Sequence, residues 1–214
     1  MSAFVSPLVE IEERVLQLAK DESLDLDAEG TAARLTELLN DEVARWRLDS
    51  KHGLRAHDLP DPELVVERAR RNLTGYGPLE SLLADEDVWE IMINAPDQIF
   101  VKRHAGVSGY HDEVFHDDEH VLRTLTKVLD DASSSHRKLD PSEGLQDAQL
   151  DGGARLHIVH RDIGRGSHLI VNIRRFTGVA FRSLGELVER GMLTAQVGEF
   201  LAAVTRAGLS TVVA

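Results

Sequence analysis

Apolar positions in the first third of the chain recur every three or four residues, the period of a helix with one buried face. Pro7 is a typical first helical residue, and Asp49–Pro62 has the glycine, histidine, aspartate and proline of a loop. The three apolar stripes are Leu8, Ile11, Val15 and Leu18, then Leu35, Leu39, Val43 and Trp46, and then Leu64, Val65, Arg68 and Ala69. The pattern predicts a small helical bundle or arm, and we assign residues 1–63 to a helical N-terminal arm.

From residue 75 the pattern changes to short runs rich in β-formers, separated by turns. Asp117 is a typical helix N-cap, and residues 131–146 have the composition of a long loop. The predicted elements are a turn at Gly75–Pro78, helix Leu79–Ala84, strands Val88–Asn94 and Ile99–Arg103, helix Asp118–Leu129, strands Asp147–Leu150 and Ala154–Arg161, and strand Leu169–Phe176. This order lacks repeated βαβ units, so it predicts an α+β domain with a largely antiparallel sheet over residues 64–178.

The last segment, residues 179–214, has a third pattern. Ser183–Arg190 and Ala195–Arg206 are predicted helices, the second capped by Thr194. Leu209–Ala214 is a β-rich run without alternation, which is typical of a buried parallel strand. We therefore expect a linker followed by the start of a truncated α/β domain.

Composition narrows the classes of protein to be considered. The formal net charge is −13 and there is no cysteine, so we expect no nucleic-acid partner, no disulfide and no cysteine-based zinc site. The sequence has no secretory leader pattern and no apolar run of membrane-spanning length, which predicts a cytoplasmic protein.

The charge is distributed unevenly along the chain. Residues 151–214 contain eight arginines, no lysine and five acidic residues. Arginine suits the recognition of phosphate and carboxylate, so this segment is a candidate anion site. The alternative is that these arginines face water or pair with acidic residues elsewhere in the chain.

Two groups of residues could carry chemistry. His116 and His120 have the spacing of two zinc ligands on one helical face, but a cap at Asp117 would leave His116 outside the helix, so we predict no metal there. On the strand Ala154–Arg161, the side chains of Arg155, His157 and Arg161 share one face. Arg174 and Arg175 point to opposite faces of their strand, so one of them can join Arg155 in binding a phosphate.

The sequence lacks the phosphate-binding loop G-x-x-x-x-G-K-[ST], and it also lacks G-x-G-x-x-G, G-x-S-x-G and H-E-x-x-H. Nevertheless, three segments carry a resemblance to a known family: GYGPLESLLAD (75–85), VWEIMIN (88–94) and QIFVKR (98–103). They resemble the CpaF-like secretion ATPases of tight-adherence pili, within the type II/type IV secretion ATPase superfamily. The resemblance continues through RKLDPSEGLQDAQLDGGAR (137–155), IRRF (173–176), GELVERGMLT (185–194) and LSTVVA (209–214). It covers about residues 64–214.

The resemblance implies a PAS-like sheet domain hinged to a RecA-like motor domain, with ATP and magnesium held between them. Members of the family form hexameric rings at the cytoplasmic face of the inner membrane, where they drive pilus assembly with platform proteins. Arginines of the sheet domain reach the phosphates, and the matching positions here are Arg155, Arg174 and Arg175. The resemblance thus implies that the chain is the non-catalytic N-terminal portion of an ATPase, ending just before the phosphate-binding loop.

Some positions depart from the family pattern. Gln149 stands where the family has arginine, Gly152 where it has aspartate and Gly144 where it has proline. These departures favour a second hypothesis, in which the chain is a freestanding adaptor that binds a secretion ATPase or pilus platform without nucleotide. A third hypothesis, a metal-dependent enzyme using His116 and His120, predicts stoichiometric zinc in the purified protein.

Overall fold

The computed structural model describes residues 6–26, 28, 30–132, 138–140, 142–175 and 183–212. Over these residues the chain has an α+β fold, with seven α-helices and one six-stranded antiparallel sheet. The chain divides into two compact units, Met1–Phe176 and Thr177–Ala214, each with its own elements. No helix among the described residues has the length and the apolar character needed to cross a membrane.

Helices α1 (Pro7–Asp21), α2 (Ala32–Lys51) and α3 (Pro62–Thr74) form a bundle in the larger unit. The predicted stripes on α1 and α2 are confirmed, although α2 continues into the predicted loop. The buried core of the bundle consists of Ile11, Val15, Ala19, Leu35, Leu38, Leu39, Val43, Trp46, Leu59 and Ala69.

Helix α3 departs from its predicted stripe. Leu64 is 45% exposed, whereas the polar residues Arg71 and Asn72 are buried. Arg71 donates a hydrogen bond to Glu113, and Asn72 donates one to Glu12. Polar partners as well as apolar residues therefore determine which side of α3 is buried.

The sheet combines the two predicted hairpins. Its strands are β1 (Val88–Ala95), β2 (Gln98–Arg103), β3 (Gly109–Tyr110), β4 (Leu145–Gln149), β5 (Arg155–Val159) and β6 (Ile170–Arg174), in the spatial order β3-β2-β1-β6-β5-β4. Every neighbouring pair is antiparallel, and β6 joins the two hairpins by pairing with both β1 and β5. The largely antiparallel sheet is confirmed. Strand β3 was not predicted, because two residues are too few to show alternation.

One face of the sheet is apolar and is covered by helices α4 (Leu79–Ala84) and α5 (Asp118–Asp131). As predicted, Asp117 caps α5, because its carboxylate accepts the backbone N–H of His120 at 2.8 Å. The buried residues on this face include Ile91, Ile93, Ile99, Val101, Leu156, Ile158, Val171 and Ile173 from the strands, with Leu79, Leu82, Phe115, Val121 and Leu125 from the covering segments. Because strand side chains alternate, the remaining strand residues point to the opposite, polar face.

The smaller unit contains helices α6 (Leu184–Glu189) and α7 (Ala195–Arg206), as predicted. The hydroxyls of Ser183 and Thr194 accept backbone N–H bonds from the first turn of each helix. Each helix therefore begins where the sequence places a capping residue.

The strand predicted over Leu209–Ala214 is wrong for its described part. Residues 209–212 form no strand, and Val212 is 92% exposed. A parallel strand requires a hydrogen-bonded neighbour, and an apolar run by itself does not supply one. The remainder of this run, residues 213–214, lies outside the described residues, as do residues 176–182, which include the predicted end of β6 and part of the predicted linker.

Candidate anion-binding site on the sheet

A row of charged residues crosses the polar face of the sheet. The Cα partner of Lys102 on β2 is Glu90 on β1, the partner of Glu90 on β6 is Arg174, and the partner of Arg174 on β5 is Arg155. Neighbouring strands lie about 4.8 Å apart, so each residue adjoins the next one. We call Lys102, Glu90, Arg174 and Arg155 the cationic row, since it contains three cations and one carboxylate.

Glu90 is the central acceptor of the cationic row and is only 1% exposed. Its Oε2 accepts a hydrogen bond from Lys102 Nζ at 2.6 Å. Its Oε1 accepts one from Arg174 Nε at 2.8 Å and one from Asn172 Nδ2 at 3.0 Å. Burial by itself would raise the pKa of Glu90, but these three donors outweigh burial and lower the pKa to about 2. The carboxylate is therefore ionised at neutral pH.

Arg155 on β5 and Arg174 on β6 are Cα partners, so two arginines lie directly opposite each other on neighbouring strands. The side chain of Arg174 is 69% exposed although its Nε is bonded to Glu90, and Arg155 is also exposed. Among the described residues, no carboxylate lies within ion-pair distance of Arg155. Like charges directly opposite each other on neighbouring strands are destabilising. Among the described residues only Arg174 of these two exposed arginines is paired with a carboxylate, so an anion bound between them would stabilise the arrangement.

The next row along the polar face is less charged. It runs from Phe100 through Met92, Asn172 and His157 to Asp147. His157 Nδ1 lies 2.8 Å from Asp147 Oδ1, which holds the imidazole beside the strand position of Arg155. The polar face thus presents apolar and hydrogen-bonding groups next to the cations.

Arg175 points to the other face of the sheet. Its Nη1 donates hydrogen bonds to the backbone oxygens of Leu82 at 3.2 Å and Val88 at 3.0 Å, and also to that of Asp85. These carbonyls lie near the end of α4, directly after it, and at the first residue of β1. Arg175 therefore joins the C-terminal end of α4 to the start of β1. The structure brings Arg155 and Arg174 together and separates Arg175 from them.

A cleft of about 270 Å³ borders Arg175 on that face. Its lining includes the carboxylates of Asp131 and Asp151 and the phenol of Tyr76. Burial, followed by the hydrogen bond to Asp131, raises the pKa of Tyr76 to about 12. Two carboxylates beside a neutral phenol disfavour a phosphate in this cleft. Of the two consecutive arginines, Arg174 is the better placed for an anion.

The histidine pair lies at the junction of the bundle and the sheet. His116 precedes the capped helix and His120 lies inside it, with their ring centroids 4.8 Å apart. His116 Nε2 is 2.8 Å from Glu12 Oε2, and His120 Nδ1 accepts the backbone N–H of His116 at 3.3 Å. No group of three or more potential metal ligands occurs among the described residues. The pair connects protein groups to one another.

Sequence reasoning missed Glu90 and Lys102. The signal that could have found them is a single carboxylate in the apolar run VWEIMIN, followed across a hairpin by the lysine of QIFVKR. A charged residue inside a central strand must find partners on its neighbours, because an unpaired buried charge is costly. Hairpin pairing places that lysine opposite the glutamate.

No protein-family model matches the chain, and no curated protein matches it. Among solved structures, the chain is similar to the VirB11 ATPase from the Brucella suis type IV secretion system, crystallised in complex with sulphate, with 25% sequence identity and a TM-score of 0.43. The match covers 61% of this chain and 42% of that one, so the chain spans less than half the length of this neighbour. That TM-score is too low to establish a common fold.

Proposed function

We propose that the chain is the N-terminal portion of a secretion or pilus-assembly ATPase. Its sheet would supply arginine contacts to the phosphates of ATP, which a separate motor domain binds and hydrolyses. The sequence has no phosphate-binding loop, so the proposal assigns this chain hinge motion, subunit contacts and phosphate contacts but no catalytic step. The resemblance of residues 64–214 to CpaF-like ATPases supports the choice of motor.

The observation that carries the proposal is the pairing of Arg155 with Arg174 on neighbouring strands. In an acidic protein with a net charge of −13, two adjacent exposed guanidinium groups are a local reversal of charge. The guanidinium fork binds phosphate oxygens in pairs, and two forks together suit a polyphosphate. Arg175 has a separate role in this proposal, because three carbonyl oxygens hold it on the other face.

The same resemblance suggests how the parent protein assembles, what it binds and where it works. The parent protein would form a hexameric ring, bind magnesium with its ATP, and work at the cytoplasmic face of an inner membrane beside platform proteins. The antiparallel sheet with helices on one face would be the PAS-like domain of that parent. The mass of the assembled parent protein would test the hexameric ring independently of the arginines.

Titration of the full 214-residue chain with tripolyphosphate, followed by two-dimensional NMR, tests the arginine contacts. We expect shifts to concentrate on β1, β5 and β6, and the double variant Arg155→Gln with Arg174→Gln to bind at least about tenfold more weakly, since each charge-assisted bond contributes about 1.5–3 kcal/mol. The control is Arg123→Gln, an exposed arginine of α5 on the covered side of the sheet, which should bind as the wild-type chain does. Equal binding by the double variant would remove the basis of the proposal.

A second candidate function rests on Gln149. This residue is the Cα partner of Arg155 on β4 and continues the line of the cationic row, at a position where the resembling family has arginine. A freestanding adaptor would bind an intact secretion ATPase or pilus platform through this face without nucleotide. It predicts that tripolyphosphate causes no specific shifts, while the partner ATPase shifts the same β5 and β6 resonances.

A further inference from the structure

Glu90 is an unexpected residue at the centre of an anion-binding row. A carboxylate repels a phosphate, so a site selected only for positive potential would not contain one. Nevertheless it is nearly fully buried and accepts three hydrogen bonds of 3.0 Å or less. Its hydrogen bonds suit a different role, which is to fix the orientation of the cations around it.

The contact with Arg174 is made through Nε. A guanidinium has five N–H donors, and the described hydrogen bond to Glu90 uses the one nearest the side-chain stem. Holding Nε fixes the plane of the group while the terminal nitrogens, on a side chain that is largely exposed, stay outside this bond. A guanidinium held in this way loses less conformational freedom when it binds an oxyanion.

The contact with Lys102 draws a third cation to the same place. Lys102 Nζ is bonded to Glu90 Oε2 and lies 5.1 Å from the centroid of the Trp89 ring. The ring and the carboxylate together hold an otherwise flexible ammonium group at the end of the row opposite Arg155. Asn172 Nδ2, on the neighbouring strand β6, donates the third hydrogen bond to Glu90.

We propose that Glu90 is a positioning residue of the anion site, and that Lys102 is a third cation of that site, so that Lys102, Arg174 and Arg155 bind one polyphosphate ligand. The inference rests on the proposed function, because it requires Arg155 and Arg174 to bind phosphate. It goes further in adding Lys102 and Glu90 to the site. The three cations lie on β2, β6 and β5, and Glu90 lies on β1 between the first two of these strands.

The two possible roles of Glu90, positioning the cations or only lowering the local potential, predict opposite changes in tripolyphosphate affinity for variants at this residue. If Glu90 only lowers the local potential, Glu90→Gln and Glu90→Met should both bind tripolyphosphate more tightly than the wild-type chain does. If Glu90 positions the cations, Glu90→Met, which has no acceptor, should bind about tenfold more weakly, the equivalent of one charge-assisted hydrogen bond. Glu90→Gln keeps one acceptor oxygen and should lie between Glu90→Met and the wild-type chain.

The experiment is a calorimetric titration of the full chain and its variants with tripolyphosphate and, separately, with inorganic phosphate. We expect the affinity order wild type, Glu90→Gln, Glu90→Met for tripolyphosphate, and a several-fold loss in Lys102→Gln that is larger for tripolyphosphate than for phosphate. In an Arg174→Gln background, Glu90→Met should cause a smaller loss than it causes in the wild-type background, because the guanidinium it positions is gone. Tighter or unchanged binding by Glu90→Met, or an equal loss in both backgrounds, overturns the inference.

Misfolding of a variant and failure of the proposed function can each be distinguished from failure of the inference. If Glu90→Met does not fold, as judged by circular dichroism, Glu90→Gln takes its place in both backgrounds. Its tripolyphosphate affinity should fall several-fold in the wild-type background and less in the Arg174→Gln background, and tighter or unchanged binding overturns positioning. Failure of the proposed function has a different signature, namely equal binding by the wild-type chain and the Arg155→Gln, Arg174→Gln double variant.

Discussion

His120 is a buried histidine in the first turn of α5. It is 2% exposed, and its ring packs edge-on against Phe115 with the centroids 5.1 Å apart. Burial, and then the neighbouring charge of His116, lower the pKa of His120 from 6.5 to about 3. Protonating the ring inside the folded protein is therefore unfavourable, although the unfolded chain protonates it readily.

We expect acid to weaken the fold between pH 6.5 and 5 through His120. In this range the unfolded chain binds a proton at His120 and the folded chain does not, so the free energy of unfolding falls as the pH falls, by at most about 1.4 kcal/mol per pH unit. Urea unfolding of His120→Gln across this range should show a shallower pH dependence than the wild-type chain. The exposed His52→Gln is the control and should keep the wild-type slope. The same slope in His120→Gln would show that another group is responsible.

Alternation along β6 accounts for what could be predicted of the arginines. Val171 and Ile173 are apolar and buried, so Arg174 falls on the polar face and Arg175 on the core face. The sequence therefore contained the information that separates these two arginines. The three carbonyl acceptors of Arg175 could not be predicted, because they come from a helix end about ninety residues earlier in the chain.

Helix α3 makes two polar contacts, one with the segment between β3 and α5 and one with α1. Arg71 Nη2 donates to Glu113 Oε1 at 2.8 Å, and both side chains are largely buried. Asn72 Nδ2 donates to Glu12 Oε1 at 2.7 Å, and the other oxygen of Glu12 lies 2.8 Å from His116. The two contacts connect α1 and α3 of the bundle to the segment that precedes α5.

The Arg71–Glu113 pair should stabilise this junction more than a surface pair does. We expect Arg71→Met to lower the free energy of unfolding by about 2–4 kcal/mol, because it leaves Glu113 poorly solvated and without its closest partner. Arg34→Met, which breaks an exposed pair with Glu22, should cost less than about 1 kcal/mol. Urea unfolding measures both variants, and equal losses would mean that burial of the Arg71 pair has no energetic consequence.

At the scale of elements, local pattern predicted the helices well and their contacts poorly. The apolar stripes of α1 and α2 suffice, because those helices bury apolar residues in one core. The buried side of α3 depends on Glu12 and Glu113, which lie far from it in sequence, so no spacing rule identifies it. The same applies to the candidate site, where the arginines were predicted but Glu90 and Lys102 become neighbours only through strand pairing.

At the scale of the whole molecule, the described residues form two apolar cores, and both belong to the larger compact unit. One core is made by α1, α2 and α3, and the other lies between the sheet and helices α4 and α5. Among the described residues, the members of both cores lie between Ile11 and Ile173. A unit that contains its own cores satisfies the usual condition for independent folding.

We therefore expect a chain that ends at Phe176 to fold by itself. Its urea transition should be cooperative, with a midpoint equal to that of the same unit in the full chain, because the cores that set its stability are intact. Leu39→Ala, which truncates a fully buried residue of the bundle core, is the reference for the size of a stability loss. It should lower the free energy of unfolding by about 2–5 kcal/mol in either length of chain.

A shorter chain that unfolds at a much lower midpoint would show that residues after Phe176 stabilise the larger unit, and the cationic row would then have to be studied only in the full chain. If the midpoints agree, tripolyphosphate binding can be measured on the shorter chain, which separates the contribution of the sheet from that of α6 and α7.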